Sequence, residues 1–233
     1  MLMQHKTFRQ YGQGDFSHFA KAMVREHLPE IAEAIYFAAL EQSCALAEQH
    51  GPHPSYDQTE FKQGNLQFDL WMNMTDHTRP TEKAKEAFYD RLYKESRWDW
   101  KELKKKIAQY GVRNGLLTAM MPTASTAILA GVSESFEPIY RVLFARRANA
   151  GEVKVLNADF CKWMVELGLW TPEMQQEVLA ERGHIQNIES IPQKVKAVFL
   201  GAHEIGMKTY AVMSRDRGYF VDQSQSLNIF MKS

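Results

Sequence analysis

Cysteine is scarce in this chain: two residues in 233, Cys44 and Cys161. That is too few for a disulfide framework and fits a reducing compartment. Both fall inside helical patterns, and Cys44 lies in an apolar segment where it reads as a small buried hydrophobe. Net charge is missing too, since 28 Lys and Arg balance 28 Asp and Glu. A field of one sign that would draw nucleic acid or a membrane surface is therefore not expected. No apolar run approaches the length of a membrane span. The start, Met1-Leu2-Met3-Gln4-His5-Lys6, lacks the apolar core of a secretory leader. These absences predict a cytoplasmic protein without a nucleic-acid or membrane partner. With no internal repeat, low-complexity stretch or linker, residues 1–233 read as one segment, and 45% hydrophobic residues suffice for a sizeable core.

What is present is mostly helical punctuation. Residues 1–15 are polar and without period. A helix is expected over 17–27, and a second from Pro29 to the stop His50-Gly51-Pro52. Residues 52–74 read as loop, including Phe68-Asp69-Leu70-Trp71. His50 and His53 flank a turn and are too few to hold a metal. In 75–97, Thr78-Arg79-Pro80-Thr81 starts a helix of alternating charge, which reads as a solvated surface insertion. Asp99 and Glu102 fit a capping box, and Trp100, Leu103, Ile107 and Tyr110 form the apolar stripe that follows. The run Lys101, Lys104, Lys105, Lys106 reads as its solvated face, and Gly111 as its stop. Helices are expected over 158–167, over 172–182 behind the Thr171-Pro172 cap, and over 192–216. Tyr219-Phe220-Val221 reads as a last strand.

The segment that carries chemistry is Met121-Pro122-Thr123-Ala124-Ser125-Thr126, behind the apolar run Leu116–Met120. A run that short reads as a buried strand, which Pro122 ends because proline cannot donate to a ladder. Small side chains let an anion approach the backbone, where N–H groups and hydroxyls can hold phosphate oxygens. The same six residues also fit a Ser/Thr-rich turn that caps a helix. A short helix is expected from Ala127 to Gly131, its N–H groups aimed at 123–126. Glu134-Ser135-Phe136-Glu137-Pro138 reads as a structural turn whose carboxylates cap backbone N–H groups. Arg146 and Arg147 are expected to pair with acidic groups inside the fold. The polar turn Asp222–Asn228 is expected to organise the fold through side-chain hydrogen bonds.

In this order, these pieces resemble the large, catalytic subunit of class I ribonucleotide reductase. The likeness begins at Ala38-Ala39-Leu40-Glu41-Gln42-Ser43-Cys44 and recurs at Trp98-Asp99-Trp100 and Tyr110-Gly111-Val112-Arg113-Asn114. It covers roughly residues 30 to 230, with a gap near 75–97, where the family usually has a shorter link. The resemblance implies an α/β fold, helix-rich, forming the C-terminal part of the ten-stranded α/β barrel. It implies that Thr123, Ala124, Ser125 and Thr126 hold the phosphates of a ribonucleoside diphosphate, with Ser125 and Thr126 donating through hydroxyls. The family usually has a polar residue at position 128, where this chain has Ile128.

The family's reaction replaces the ribose 2′-hydroxyl with hydrogen. It uses a thiyl-forming cysteine, a glutamate, an asparagine and a reducing cysteine pair, all upstream of the matched region. The radical-relaying tyrosines and the cysteine-bearing tail lie downstream. The resemblance therefore implies no catalytic residue, metal ligand or cofactor in this chain. The radical comes from a separate metal-containing small subunit, and nucleotide effectors bind elsewhere. The implied partners are the diphosphate substrate, a complementary large-subunit fragment and the small subunit, with the chain alone inactive and oligomeric. The alternatives are a non-catalytic reductase-like scaffold or regulatory module, and an unrelated α/β phosphate-binding protein.

Overall fold

The computed structural model describes residues 16–76, 79–130, 132–148 and 151–230. The polar stretch 1–15, Thr78 and Gly131 lie outside the described residues, as do the side chains of Ile128, Arg146 and Arg147. The helices are α1 (Phe16–His50), α2 (Gln67–Met72), α3 (Glu82–Asp90), α4 (Trp100–Tyr110), α5 (Ala124–Leu129), α6 (Ala158–Glu166), α7 (Pro172–Ala180), α8 (Gln193–Val198), α9 (Ala202–Ile205) and α10 (Met207–Gly218). Strands β1 (Leu143–Ala148) and β2 (Gly151–Leu156) form an antiparallel hairpin. The chain divides into two compact units. The first comprises Pro122–Ala211 with the stretches ending at Arg25 and starting at Ser226; the second comprises Glu26–Met121 and Val212–Gln225. Each unit is stitched from separate stretches, so no linker in the sequence marks the division.

The second unit is built around aromatic residues. Tyr36, Phe37, Phe68, Trp100 and Phe220 are buried together. The Trp100 ring meets Phe37 edge-on at 5.0 Å and stacks on Phe220 at 6.0 Å. Buried Glu33 lies beside this cluster with its charge fully engaged. It accepts from Ser96 Oγ at 2.6 Å and Trp100 Nε1 at 2.9 Å, and pairs with Arg91 at 3.3 Å. Partnering of this kind is what makes a buried carboxylate tolerable. Half of the expected α4 capping box forms: Asp99 accepts from the Glu102 N–H at 2.9 Å, while the Glu102 carboxylate pairs with Lys105. Trp100, Leu103 and Ile107 face the core. Lys104 leaves the solvated run to pair with Asp69 at 2.6 Å.

Several sequence expectations are corrected. The helices expected over 17–27 and from Pro29 are one helix, α1, with Pro29 inside it. Proline removes one donor from the ladder, and the helix continues past it. Gly51 then ends it at φ +79, donating to Ala47 O. The loop expected over 52–74 contains α2, because Asp69 turns back to accept from the Leu66 N–H at 2.8 Å. The 75–97 stretch has the expected cap, Thr81 accepting from the Ala84 N–H, and surface pairs such as Lys94–Asp90. It is not wholly solvated, since Leu92 is fully buried and Tyr89 donates to Asp69.

The helix expected over 192–216 is three helices, α8 to α10. Gly201 and Gly206 break it. A Cβ on Gly201 would lie 2.6 Å from Tyr140 O, and Gly206 has φ +82. That sharp approach and that backbone conformation both require glycine.

The largest difference concerns strands. Among the described residues the only sheet is β1–β2, so a ten-stranded barrel is not seen, while the helix-rich α/β character is. The expected buried strand at Leu116–Met120 forms no sheet and is only half-buried, with Leu116 exposed at 60%. It makes one parallel bridge, Met120 to Gln225. Its Leu117 and Thr118 N–H groups go to the Asp222 carboxylate, at 2.8 Å each, rather than to a neighbouring strand. Tyr219 and Phe220 form a turn, not a strand, though Phe220 and Val221 are buried as strand residues would be.

Candidate functional site

Thr123–Thr126 is not a loop in front of a helix. It is the first turn of one, since α5 begins at Ala124 rather than at Ala127. Thr123 O accepts from the Ala127 N–H at 2.7 Å, which starts the helical ladder. The main-chain N–H groups of a first turn have no intrahelical acceptor, so those of Ser125 and Thr126 point out of the helix start. Ala124, Ser125 and Thr126 are exposed, and no acidic residue stands in this turn. Only one of the two expected hydroxyl donors is available. The Thr126 hydroxyl donates back to Thr123 O at 3.2 Å, whereas Ser125 makes no such bond among the described residues.

The turn is held by the Glu134–Pro138 segment. Ser135 has φ +47, a left-handed conformation that costs a non-glycine residue energy. In that conformation its N–H donates to Thr123 Oγ1 at 3.0 Å while its hydroxyl donates to Ser226 O at 3.0 Å. Two residues on, Glu137 is buried. Its carboxylate accepts from the Asn228 N–H at 2.7 Å and from Asn228 Nδ2 at 3.0 Å. So Glu137 does cap backbone as expected, and it is spent on structure. The Ser133 hydroxyl closes the segment by donating to Glu137 O at 2.6 Å. The phenol of Tyr210 lies near; burial, with the Glu137 charge adding to it, holds its pKa above the ordinary value. Three segments far apart in sequence are thus tied within the first unit: Thr123–Thr126, Glu134–Pro138 and Ser226–Asn228.

The other recognised pieces meet within the second unit. Ser43 Oγ accepts from the Arg113 and Asn114 N–H groups at 3.1 and 2.9 Å and donates to Asn114 Oδ1 at 3.0 Å. Gln225 accepts from Arg217 Nε at 2.7 Å and donates to Ser214 O. The sequence read the 222–228 turn as an organiser, but not that Asp222 would cap the 116–118 backbone. A carboxylate at the end of an apolar run was the available signal. The β1–β2 hairpin was missed outright.

Neither thiol is poised for chemistry. Burial raises the pKa of Cys44 and of Cys161, away from the thiolate that a nucleophile or metal ligand needs. Among the described residues no cluster of His, Cys, Asp and Glu could hold a metal ion, and no helix is long and apolar enough to cross a membrane.

Known proteins have similar sequences. Residues 16–233 match the family "Ribonucleotide reductase, barrel domain". The chain is 42% identical over 213 residues to the ribonucleoside-diphosphate reductase large subunit of Caenorhabditis elegans, covering 91% of this chain and 25% of that protein. It is 45% identical over 203 residues to the large chain of Neurospora crassa, covering 87% of this chain and 20% of that one. The Danio rerio large subunit is 42% identical over 200 residues, covering 86% and 23%. The chain therefore spans a quarter or less of the length of these relatives. By sequence match, in a fold that brings the recognised motifs into two hydrogen-bonded clusters, this chain belongs to the ribonucleotide reductase barrel-domain family.

Proposed function

We propose that this chain serves as the C-terminal part of the barrel of a ribonucleoside-diphosphate reductase large subunit, and that Thr123–Thr126 receives the substrate diphosphate. The observation that carries the reading is an exposed helix start with outward N–H groups, the Ser125 hydroxyl and no carboxylate of its own. A diphosphate there meets partial positive charge and several donors at once. Ser135 and Glu137 fix the turn without occupying it. Ser125 is the side-chain donor in this reading; Thr126 contributes its backbone. The Leu116–Met120 and Val221–Gln225 stretches, joined by their one parallel bridge, are two of the barrel's strands, and the remaining strands belong to the rest of the large subunit.

The chemistry belongs to other residues. With Cys44 buried and Cys161 on α6, the chain does not supply three active-site cysteines. The thiyl radical, the redox pair and their glutamate and asparagine come from a complementary large-subunit portion. A metal-containing small subunit generates the radical. Working in the cytoplasm, the assembled enzyme would make deoxyribonucleoside diphosphates, and the isolated chain would be inactive.

The test is reconstitution with that complementary portion and the small subunit. Deoxynucleotide formation is expected, and stable association without any product would defeat the reading. In the same complex Ser125→Asp puts a carboxylate at the helix start. It should weaken diphosphate binding about a hundredfold by charge repulsion and loss of a donor. Unchanged affinity would remove the turn from the substrate site.

A further inference from the structure

Thr123 stands where a helix cap stands, just before Ala124, and it does not cap. In four other helices the residue at that position accepts, through its side chain, from the N–H three places on. Thr81 accepts from Ala84, Asp99 from Glu102, Asn157 from Phe160 and Thr171 from Met174, at 2.8–3.3 Å. This is the ordinary work of an N-cap oxygen. By the same spacing Thr123 Oγ1 would accept from the Thr126 N–H. It accepts instead from the Ser135 N–H at 3.0 Å, and among the described residues the Thr126 N–H makes no bond to it. Ser135 presents that N–H from a left-handed backbone, φ +47. A side chain disfavours this conformation, which persists where its surroundings fix it. Here the Ser135 hydroxyl anchors it by donating to Ser226 O at 3.0 Å.

We propose that Ser135 is a positioning residue: it keeps the Thr123 hydroxyl off the start of α5, and when Ser135 leaves its left-handed conformation Thr123 caps the Thr126 N–H and shuts the turn. One threonine oxygen then has two arrangements. In the open turn it accepts from Ser135; in the self-capped turn it accepts from Thr126. The two differ by one bond exchanged for another, so the balance is local. A side-chain cap changes the population of a helix end by roughly tenfold. The strain of a left-handed side-chain residue is of similar size, and a change confined to residue 135 can therefore tip the balance. The consequence for substrate rests on Thr123–Thr126 being the diphosphate turn; the cap itself does not. On that reading a phosphate oxygen and Thr123 compete for one N–H, and apparent affinity falls with the fraction of turns that are open.

Amide hydrogen exchange of the full chain reads the cap without any ligand. Thr171→Val should speed the Met174 amide about tenfold, because a true cap is lost. Thr123→Val should leave the Thr126 amide as it was. Ser135→Val, whose branched side chain rejects a left-handed backbone, should slow the Thr126 amide about tenfold. Ser135→Gly loses the same hydroxyl but keeps the conformation, and should not slow it. Adding Thr123→Val to Ser135→Val should return Thr126 to the parent rate, since no oxygen is left to cap it. A merely structural Ser135 gives no such recovery. In the reconstituted complex, Ser135→Val should weaken diphosphate binding about tenfold, and the double variant should recover. A Thr126 amide unmoved by Ser135→Val, or still slow in the double variant, overturns the proposal. So does one that speeds up in Thr123→Val, because Thr123 would already be its cap. If exchange follows the expected pattern and diphosphate affinity does not, the cap stands and the substrate reading of the turn falls.

Discussion

Outward-pointing main-chain N–H groups at Leu117–Thr118 and at the start of α5 are treated in opposite ways. In the second unit, the Leu117 and Thr118 N–H groups converge on Asp222, which also accepts from the Thr118 hydroxyl at 3.2 Å. The protein has placed its own anion there. In the first unit, the first turn of α5 carries no carboxylate. The nearby Glu137 is turned away to Asn228. A seat filled from within serves the fold. In the proposed function, the start of α5 is the seat that takes a ligand. In that reading the contrast, more than the presence of serine and threonine, sets the α5 start apart from an ordinary helix cap.

The units also differ in how many buried phenols they hold, Tyr210 in the first against Tyr36, Tyr89 and Tyr93 in the second, and alkaline pH should expose that difference most strongly. In the second unit, burial raises the pKa of Tyr36 and of Tyr89, and pushes that of Tyr93 up to about 12, with the Asp69 charge adding to all three. A group whose folded pKa is raised stabilises the fold below its ordinary value, near 10 for tyrosine, and that contribution disappears as pH climbs to the folded value. Arg217 works in the other direction. Burial holds it down to about 10, so the cost of its buried charge is relieved above that pH. One arginine does not offset three phenols. The second unit should therefore unfold as pH rises from about 10 toward 12. In a Trp163→Phe, Trp170→Phe variant the remaining three tryptophans, Trp71, Trp98 and Trp100, all report on that unit. Their fluorescence should change before that of Trp163 and Trp170 in the complementary variant; the reverse order would break the comparison.

Removing the internal anion comes next in size. Asp222→Ala leaves the Leu117 and Thr118 N–H groups without their acceptor in a half-buried site, and should cost about 2–3 kcal/mol in urea unfolding. Asp222→Asn keeps one acceptor oxygen and should cost about half as much. If both variants unfold like the parent chain, the Asp222 seat is incidental, and the argument from its contrast with α5 fails.

Local punctuation was legible in the sequence because it depends on neighbours a few residues away. The Gly51 stop, the Asp99 cap, the Thr171 cap and the α4 stripe all formed as read. What was not legible depends on distant partners. The break of the 192–216 helix is set by Tyr140 O lying against Gly201, sixty-one positions away. The sequence reading starts α5 at Ala127; the observed start at Ala124 comes with Ser135, twelve residues beyond Thr123, holding that residue. The hairpin was hidden because Leu143–Ala148 carries two adjacent arginines and β2 is exposed, so neither strand shows a buried face to read. Leu116–Met120 forms no sheet here for a related reason: it has a strand's composition, and a ladder also needs a neighbouring strand.

The smallest predicted effect separates two residues that look alike in the sequence. Ser125 and Thr126 are adjacent, exposed hydroxyl residues in the same turn, and either hydroxyl could serve the phosphate on sequence grounds. In the folded chain the Thr126 hydroxyl is committed to Thr123 O, three residues back on its own helix. Thr126→Ala therefore removes a weak local bond at an exposed site and raises helix propensity slightly. Stability should change by less than about 0.5 kcal/mol. Diphosphate affinity of the assembled complex should shift by less than about threefold, because the backbone N–H of residue 126 is unchanged. Ser125→Ala, by contrast, removes a hydroxyl that faces outward and should weaken binding by about tenfold. Equal losses at the two positions would mean that the Thr126 hydroxyl turns to the ligand on binding and that α5 rearranges to release it. A loss at Thr126 alone would reverse the assignment of the two side chains.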